Sequence, residues 1–131
     1  MAPLPFPDIE TKTTLSPYPQ SVSAARRFVR DVLMSRHVSD QVVHVVELLT
    51  SEVVTNAIVH ARSATQLAVE VNDGSVRVAV RDDSGRSPVR HLHSVDDESG
   101  RGVVIIDQLA SAWGVEQERN GGKRVWFEVA C

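Results

Sequence analysis

Hydrophobic and polar positions along the chain change their spacing twice, and each change predicts a different kind of element. Between positions 21 and 37, apolar residues recur at helical spacing, and Ser21 or Ser23 is placed to cap the predicted helix. From about position 39 to position 60, apolar residues cover more than one side of a second helical pattern. This second helix is therefore expected to be buried on most of its surface.

The spacing then falls from 3.6 to 2, which is the period of a β-strand. Between positions 66 and 83, leucine and valine alternate with other residues on both sides of an Asp73-Gly74 turn, which predicts a β-hairpin. Further patterns predict an edge strand before Pro17, a third helix at 102–113 and two closing strands. The fold class is therefore α/β (α+β): a two-layer sandwich of a mixed, largely antiparallel sheet with helices on one face.

Composition and charge narrow the class of protein. The chain has 131 residues, which favours one domain at 9–131 after a proline-rich tail at 1–8. Its net charge of -3 argues against direct binding of nucleic acid. The only cysteine is Cys131, so no intramolecular disulfide is possible and a cytoplasmic location is expected. The sequence contains no run of about 18 apolar residues, so no membrane association is expected.

A polar stripe interrupts the second helix. Glu52, Asn56 and His60 are four residues apart and therefore lie on one helix face. Burying an unpaired carboxylate would cost several kcal/mol, so this face is expected to line a cleft or hold an ion. The oxygen of Asn56 suits magnesium, and Glu52 could deprotonate a nucleophile. Alternatively, Asn56 and Glu52 bond to nearby backbone or to each other, and His60 stabilises the helix dipole. A further alternative is that the three side chains hold a transition metal, for which Asn is a poor ligand.

Polar residues also follow the second strand of the hairpin. Turn chemistry explains Asp83, Ser84 and Gly85, but not the acid on the strand end itself, Asp82. The carboxylate of Asp82 could accept a hydrogen bond from an exocyclic amine.

A glycine pair precedes the third helix. Gly100 and Gly102 flank Arg101, and glycines at a helix start let backbone amides approach an anion. Capping alone would also explain these glycines. Together with the polar stripe and the acidic strand end, however, their order suits a nucleotide between a helix and a lid.

These motifs resemble those of the GHKL, or histidine kinase-like, ATPase superfamily, and in particular its small bacterial anti-sigma factors that act as serine-protein kinases. The stretch SEVVTNAIVHA is similar to the asparagine box of the family, and SGRGVVIIDQLA is similar to its second glycine box. The resemblance implies ATP and Mg²⁺ as cofactors, with Glu52 as general base and Asn56 as magnesium ligand. It also implies the following nucleotide contacts: Asp82 with adenine, and Gly100, Arg101 and Gly102 with the phosphates.

The sequence departs from the family pattern at two places. The first glycine box of the family reads Asp-x-Gly-x-Gly, whereas here Ser84 and Arg86 replace its two glycines. Near the closing strand, Lys123 stands in the region where many relatives use a threonine to hold the base. We nevertheless include Ser84, Gly85 and Lys123 among the expected nucleotide-binding residues.

The implied function is that of a bacterial transcription regulator. The resemblance suggests an anti-sigma factor that binds a sigma factor and phosphorylates a serine or threonine of an anti-anti-sigma protein. A homodimer is a further expectation from the resemblance. The alternative is a non-catalytic protein-binding module with a degenerate nucleotide pocket.

Overall fold

The structure is a computed structural model that describes residues 10–61, 64–83, 106–119 and 121–131. Within these ranges, two long helices and five strands follow one another, with one helical turn at 106–109 before the fourth strand. Their bounds are β1 Glu10–Leu15, α1 Gln20–Ser35, α2 Asp40–Ala61, β2 Thr65–Asn72, β3 Ser75–Asp82, β4 Ala112–Gln117 and β5 Lys123–Ala130. The predicted tail at 1–8 lies outside the described residues.

The five strands form one sheet in the order β1-β2-β3-β5-β4, and every pairing is antiparallel. Alternate residues on each strand point to the helices, and most of these side chains are fully buried. The core of this helix-facing side consists of Leu67, Val69, Val76, Val78, Val80, Phe127 and Val129. The predicted two-layer sandwich and the hairpin about Asp73-Gly74 are therefore confirmed.

Helix α2 is the central element of the helical layer, because it packs against α1 and against strands β3 and β5. Its buried side chains are Val43, Val46, Leu49, Val53, Val54, Ala57 and Ile58. By length and composition alone, the segment Asp40–Val59 could also cross a membrane, with a mean hydropathy of 1.5. The absence of a long apolar run therefore did not exclude a spanning segment. Here one face of α2 supplies core side chains, but Leu48 and Val59 are exposed and 39% of the segment is buried, so the expectation that α2 is buried on most of its surface was wrong.

Helix α1 begins and ends differently from the sequence-based expectation. It starts after Pro19, and no side chain caps it. Ser21, one of the two predicted caps, is buried, and its hydroxyl lies 3.1 Å from the hydroxyl of Ser16. At the other end, His37 has a φ of 60°. The backbone N–H groups of His37 and Val38 donate to carbonyls of the last turn, which is a Schellman closure with histidine where glycine is usual.

The predicted third helix is shorter than expected at its C-terminal end. Helical backbone ends at position 109, and β4 begins at Ala112. Trp113 lies opposite Phe127 in the β4–β5 pair and packs against the core. The helix assignment of 110–113 was therefore wrong, because pairing with β5 overrides the local helical pattern. Positions 102–105 lie outside the described residues.

The side of the sheet that points away from α1 and α2, the open side, carries Trp126 among charged and small neighbours. Trp126 lies opposite Gly114, and a Cβ built on Gly114 would come within 2.9 Å of the indole Nε1. The guanidinium of Arg77 lies 4.7 Å from the centroid of the Trp126 ring and forms a 3.0 Å ion pair with Glu128. The indole is therefore held between a glycine backbone and a cation.

Candidate functional site

The helix-facing side of the sheet changes from aliphatic to polar at one end. The antiparallel register places Asp82, the last residue of β3, directly opposite Lys123, the first residue of β5. Asp82 is 2% exposed and Lys123 is 4% exposed, and their charged atoms are 3.9 Å apart. The preceding pair on the same side is Val80 with Val125. Two strand ends thus bring a buried carboxylate and a buried ammonium together.

A third polar residue lies at this end of the sheet. The β2–β3 ladder pairs Gln66 with Arg81, and the next residues along the two strands are Thr65 and Asp82. The side chain of Thr65 is 1% exposed, and its hydroxyl has no hydrogen-bond partner in the described part of the chain. We call Thr65, Asp82 and Lys123 the polar row. Sequence reasoning missed Thr65, although a hydroxyl at a position where β2 otherwise alternates aliphatic residues was a signal.

The polar stripe of α2 is half-buried. Neither Glu52 nor Asn56 is fully exposed or fully covered. The carboxylate of Glu52 makes no hydrogen bond or ion pair with the residues that the structure describes. The amide nitrogen of Asn56 is buried and also has no partner there. The alternative in which these side chains bond to each other or to nearby backbone is therefore not what the structure shows.

The connection between α2 and β2 brings the stripe and the polar row to the same end of the molecule. Asn56 lies five residues before the end of α2, which is about 7.5 Å along the helix axis. Ala61 and Thr65 are separated by at most about 14 Å of chain. Thr65 in turn belongs to the polar row. The C-terminal half of α2 and the polar row therefore lie toward the same end of the molecule, and together we call them the candidate site.

Helix α1 braces α2 just before the stripe. Arg30 donates two hydrogen bonds to the carboxylate of Glu47, at 2.9 and 3.2 Å, and Glu47 raises the pKa of Arg30. Arg26 donates to the hydroxyl of Ser51, which itself donates to the backbone carbonyl of Glu47. These exposed contacts lie on the side of α2 next to Glu52, and Glu52 takes no part in them.

Several predicted site residues lie outside the described residues. They are Ser84, Gly85, Gly100, Arg101 and Gly102, and the side chain of His60 is likewise not described. Their roles stay predictions. Of the predicted site residues that are described, Asp82 and Lys123 lie together, and Glu52 and Asn56 lie on the facing helix.

Comparison with known proteins identifies the class. Residues 15–129 match the family model of the histidine kinase-like ATPase domain. The match covers most of the chain, so the chain belongs to this family, whose domain implies ATP binding. An uncharacterized protein of Streptomyces coelicolor, SCO4941, is 38% identical over 72 residues, which are 51% of this chain and 69% of that protein.

Solved structures share the fold. A chain in the crystal structure of the SiaB–SiaC complex from Pseudomonas aeruginosa superposes with a TM-score of 0.62. The superposition covers 92% of this chain and 89% of that chain, at 14% sequence identity. At this identity, the similarity extends to the fold alone.

The donor set fits a magnesium ion. Rotating the side-chain amide of an asparagine by 180° exchanges its nitrogen and oxygen. The buried amide atom of Asn56 that has no partner can therefore be the oxygen. No group of three His, Cys, Asp or Glu side chains in the described ranges could hold a metal ion. A metal here would therefore depend on one amide oxygen together with water and phosphate oxygens, which is the coordination that magnesium accepts.

Proposed function

We propose that this protein is a bacterial anti-sigma factor that binds Mg-ATP and phosphorylates a serine or threonine of an anti-anti-sigma protein. The observation that carries the proposal is the buried amide of Asn56, which has no partner among the described residues and lies on the same face of α2 as the unpaired carboxylate of Glu52. A buried amide without a hydrogen-bond partner is costly in a folded protein unless a ligand or water completes it, whereas the half-buried carboxylate of Glu52 stays accessible to a reacting group. The family membership of the chain supports ATP as that ligand.

In the proposed reaction, the hydroxyl oxygen of the protein substrate forms a bond to the γ-phosphorus of ATP. The bond between that phosphorus and the bridging oxygen breaks, which leaves ADP, and the hydroxyl proton passes to the carboxylate of Glu52. Asn56 would hold Mg²⁺, which when bound neutralises charge on the phosphates.

Partner proteins follow from the proposed role. A structure with the same fold is part of a protein complex, SiaB with SiaC, which supports protein binding by this chain. We propose that a sigma factor and its antagonist are alternative partners, so that phosphorylation acts as a switch between them. A homodimer and a cytoplasmic location belong to the same proposal.

Nucleotide binding tests the first half of the proposal. The expected result is ATP binding, measured by calorimetry, that weakens when Mg²⁺ is removed and weakens similarly in Asn56→Ala. Asn72→Ala is the matched control, because Asn72 is an exposed hairpin residue whose oxygen accepts from Ser75. Undetectable binding at millimolar ATP, or binding that is indifferent to Mg²⁺, would refute the proposal.

Phosphoryl transfer tests the second half. We expect radiolabel from [γ-³²P]ATP on a serine or threonine of the antagonist, and loss of at least about 100-fold in rate for Glu52→Gln. Glu47→Gln is the matched control on the same helix, because the carboxylate of Glu47 is occupied by Arg30. A rate in Glu52→Gln equal to that in Glu47→Gln would exclude Glu52 as the base.

The second candidate function is a protein-binding module that phosphorylates nothing. The observation that favours it is the buried ion pair between Asp82 and Lys123, since a carboxylate that is paired in this way has a structural role already. An antagonist that stays unlabelled with ATP and Mg²⁺, although it binds the protein, would support this second function.

A further inference from the structure

A cavity lies at the end of the sheet away from the candidate site. Its volume is about 670 Å³, and its walls are the connection from α1 to α2 and the β2–β3 hairpin. Small-molecule sites in proteins have volumes of about 300–1,000 Å³. Along β2, Val71 on the cavity wall and Thr65 in the polar row are separated by about 20 Å of strand. The cavity is therefore separate from the candidate site, and the proposed function does not use it.

Opposite charges line this cavity without neutralising each other. Arg36 and Asp73 both border it, yet the side chain of neither makes an ion pair or a hydrogen bond with the residues that the structure describes. His37 is a further polar residue of the wall, and its φ of 60° is one that glycine adopts without strain. Strained backbone of this kind is often found at ligand-binding positions. The cavity thus offers a free guanidinium and a free carboxylate to an occupant.

The wall of the cavity also has an apolar part. Val38 and Val71 border it, and both are half-buried and pack against the core. A matching ligand carries a carboxylate for Arg36, an ammonium for Asp73 and an aliphatic group for the two valines. A ligand with a single charge would leave one of the two charged side chains without a partner. An α-amino acid with an aliphatic side chain has all three groups.

We propose that this cavity binds an aliphatic amino acid as its zwitterion, with the carboxylate held by Arg36 and the ammonium held by Asp73. The proposal rests on the cavity and its charges and does not depend on the binding of ATP. Cys131 provides a way to detect the occupant, because it also borders the cavity. Its backbone N–H donates to the carbonyl of Gly74 at 2.9 Å, which ties it to the hairpin. A bound amino acid would therefore shield its thiol from reagents.

Titration with L-leucine tests the site in the absence of nucleotide. We expect calorimetry to give a Kd of about 1 mM or below, and saturating L-leucine to slow the alkylation of Cys131 by iodoacetamide severalfold. Two analogues with the same aliphatic group test the two charges. 4-Methylpentanoate lacks the ammonium and 3-methylbutylamine lacks the carboxylate. Each should bind at least about tenfold more weakly than L-leucine, because each loses one charged hydrogen-bonding group.

Substitutions assign each charge to its side chain. Arg36→Gln and Asp73→Asn should each weaken L-leucine binding at least about tenfold, and asparagine before glycine keeps a favourable hairpin turn. Arg36→Gln should still bind 3-methylbutylamine as the wild type does. Arg27→Gln is the matched control, because Arg27 is an exposed arginine of α1 outside the cavity.

Three results would overturn the proposal. The first is neither heat nor protection of Cys131 with L-leucine at about 10 mM, ten times the expected Kd. The second is equal binding of L-leucine by Arg36→Gln and Arg27→Gln. The third is binding of 4-methylpentanoate as tight as that of L-leucine. Since these measurements contain no nucleotide, they leave the proposed function to its own tests.

Discussion

Replacing Lys123 by methionine tests whether the buried ion pair is a strong determinant of stability. Methionine fills a similar volume, so the main change is that the carboxylate of Asp82 loses its buried cation. The side chains of Lys123 and Asp82 are 5% and 2% exposed, so solvent cannot compensate for the loss. Breaking a buried pair from one side costs about 3–5 kcal/mol. Asp82 takes part in further interactions, so we expect about 3 kcal/mol.

This loss should be visible as a large shift in the unfolding temperature. An unfolding entropy of about 2.1 cal/mol/K per residue over 131 residues gives about 0.28 kcal/mol/K, so that about 3 kcal/mol lowers the midpoint by about 11 °C. Arg124→Met is the control on the neighbouring residue, which lies on the open side of the sheet. Its partner Glu116 is 57% exposed, and the pair should contribute less than about 1 kcal/mol.

A double variant separates charge from packing. Asp82→Asn combined with Lys123→Met removes both charges, so it should regain most of the lost stability. Differential scanning calorimetry or chemical denaturation would measure all four proteins. The reasoning is refuted if Lys123→Met costs no more than Arg124→Met, or if the double variant is less stable than Lys123→Met alone.

Three further predictions concern the rest of the domain. His37→Gly should stabilise the protein by about 0.5–1 kcal/mol, because glycine adopts the φ of 60° without strain; a lower unfolding temperature would contradict this. Gly114→Ala should destabilise by about 1 kcal/mol and change tryptophan fluorescence, because the new methyl group displaces the ring of Trp126; an unchanged spectrum and midpoint would show that the ring was not in contact. Partial desolvation raises the pKa of the exposed Cys131 thiol, so alkylation by iodoacetamide should increase at a higher pH than for a short cysteine peptide, and equal midpoints would contradict the raised pKa.

The sequence predicted correctly those helices and strands that depend on neighbouring residues alone. The hairpin about Asp73-Gly74 follows from strict alternation and a turn dipeptide, and α2 follows from its apolar spacing. The errors occurred where distant contacts decide the structure. Trp113 belongs to a strand because β5 pairs with it, and Ser21 faces Ser16 instead of capping α1.

The same distinction between local and distant contacts explains why only part of the candidate site was predicted. Glu52 and Asn56 were recognised because their four-residue spacing is visible on one helix. The pairing of Asp82 with Lys123 was not, because it depends on the register between strands that are 41 residues apart in sequence. Thr65 joins this group only through a second register, that of β2 with β3.

The two tryptophans occupy opposite sides of the same pair of strands. Trp113 points into the layer between sheet and helices, whereas Trp126 lies on the open side against Gly114. A variant that keeps only one of the two tryptophans would therefore report, through its fluorescence emission spectrum, on the environment of one side of the sheet. The molecule thus contains two natural optical probes, and comparing them would tell which surface a binding protein covers without any attached dye.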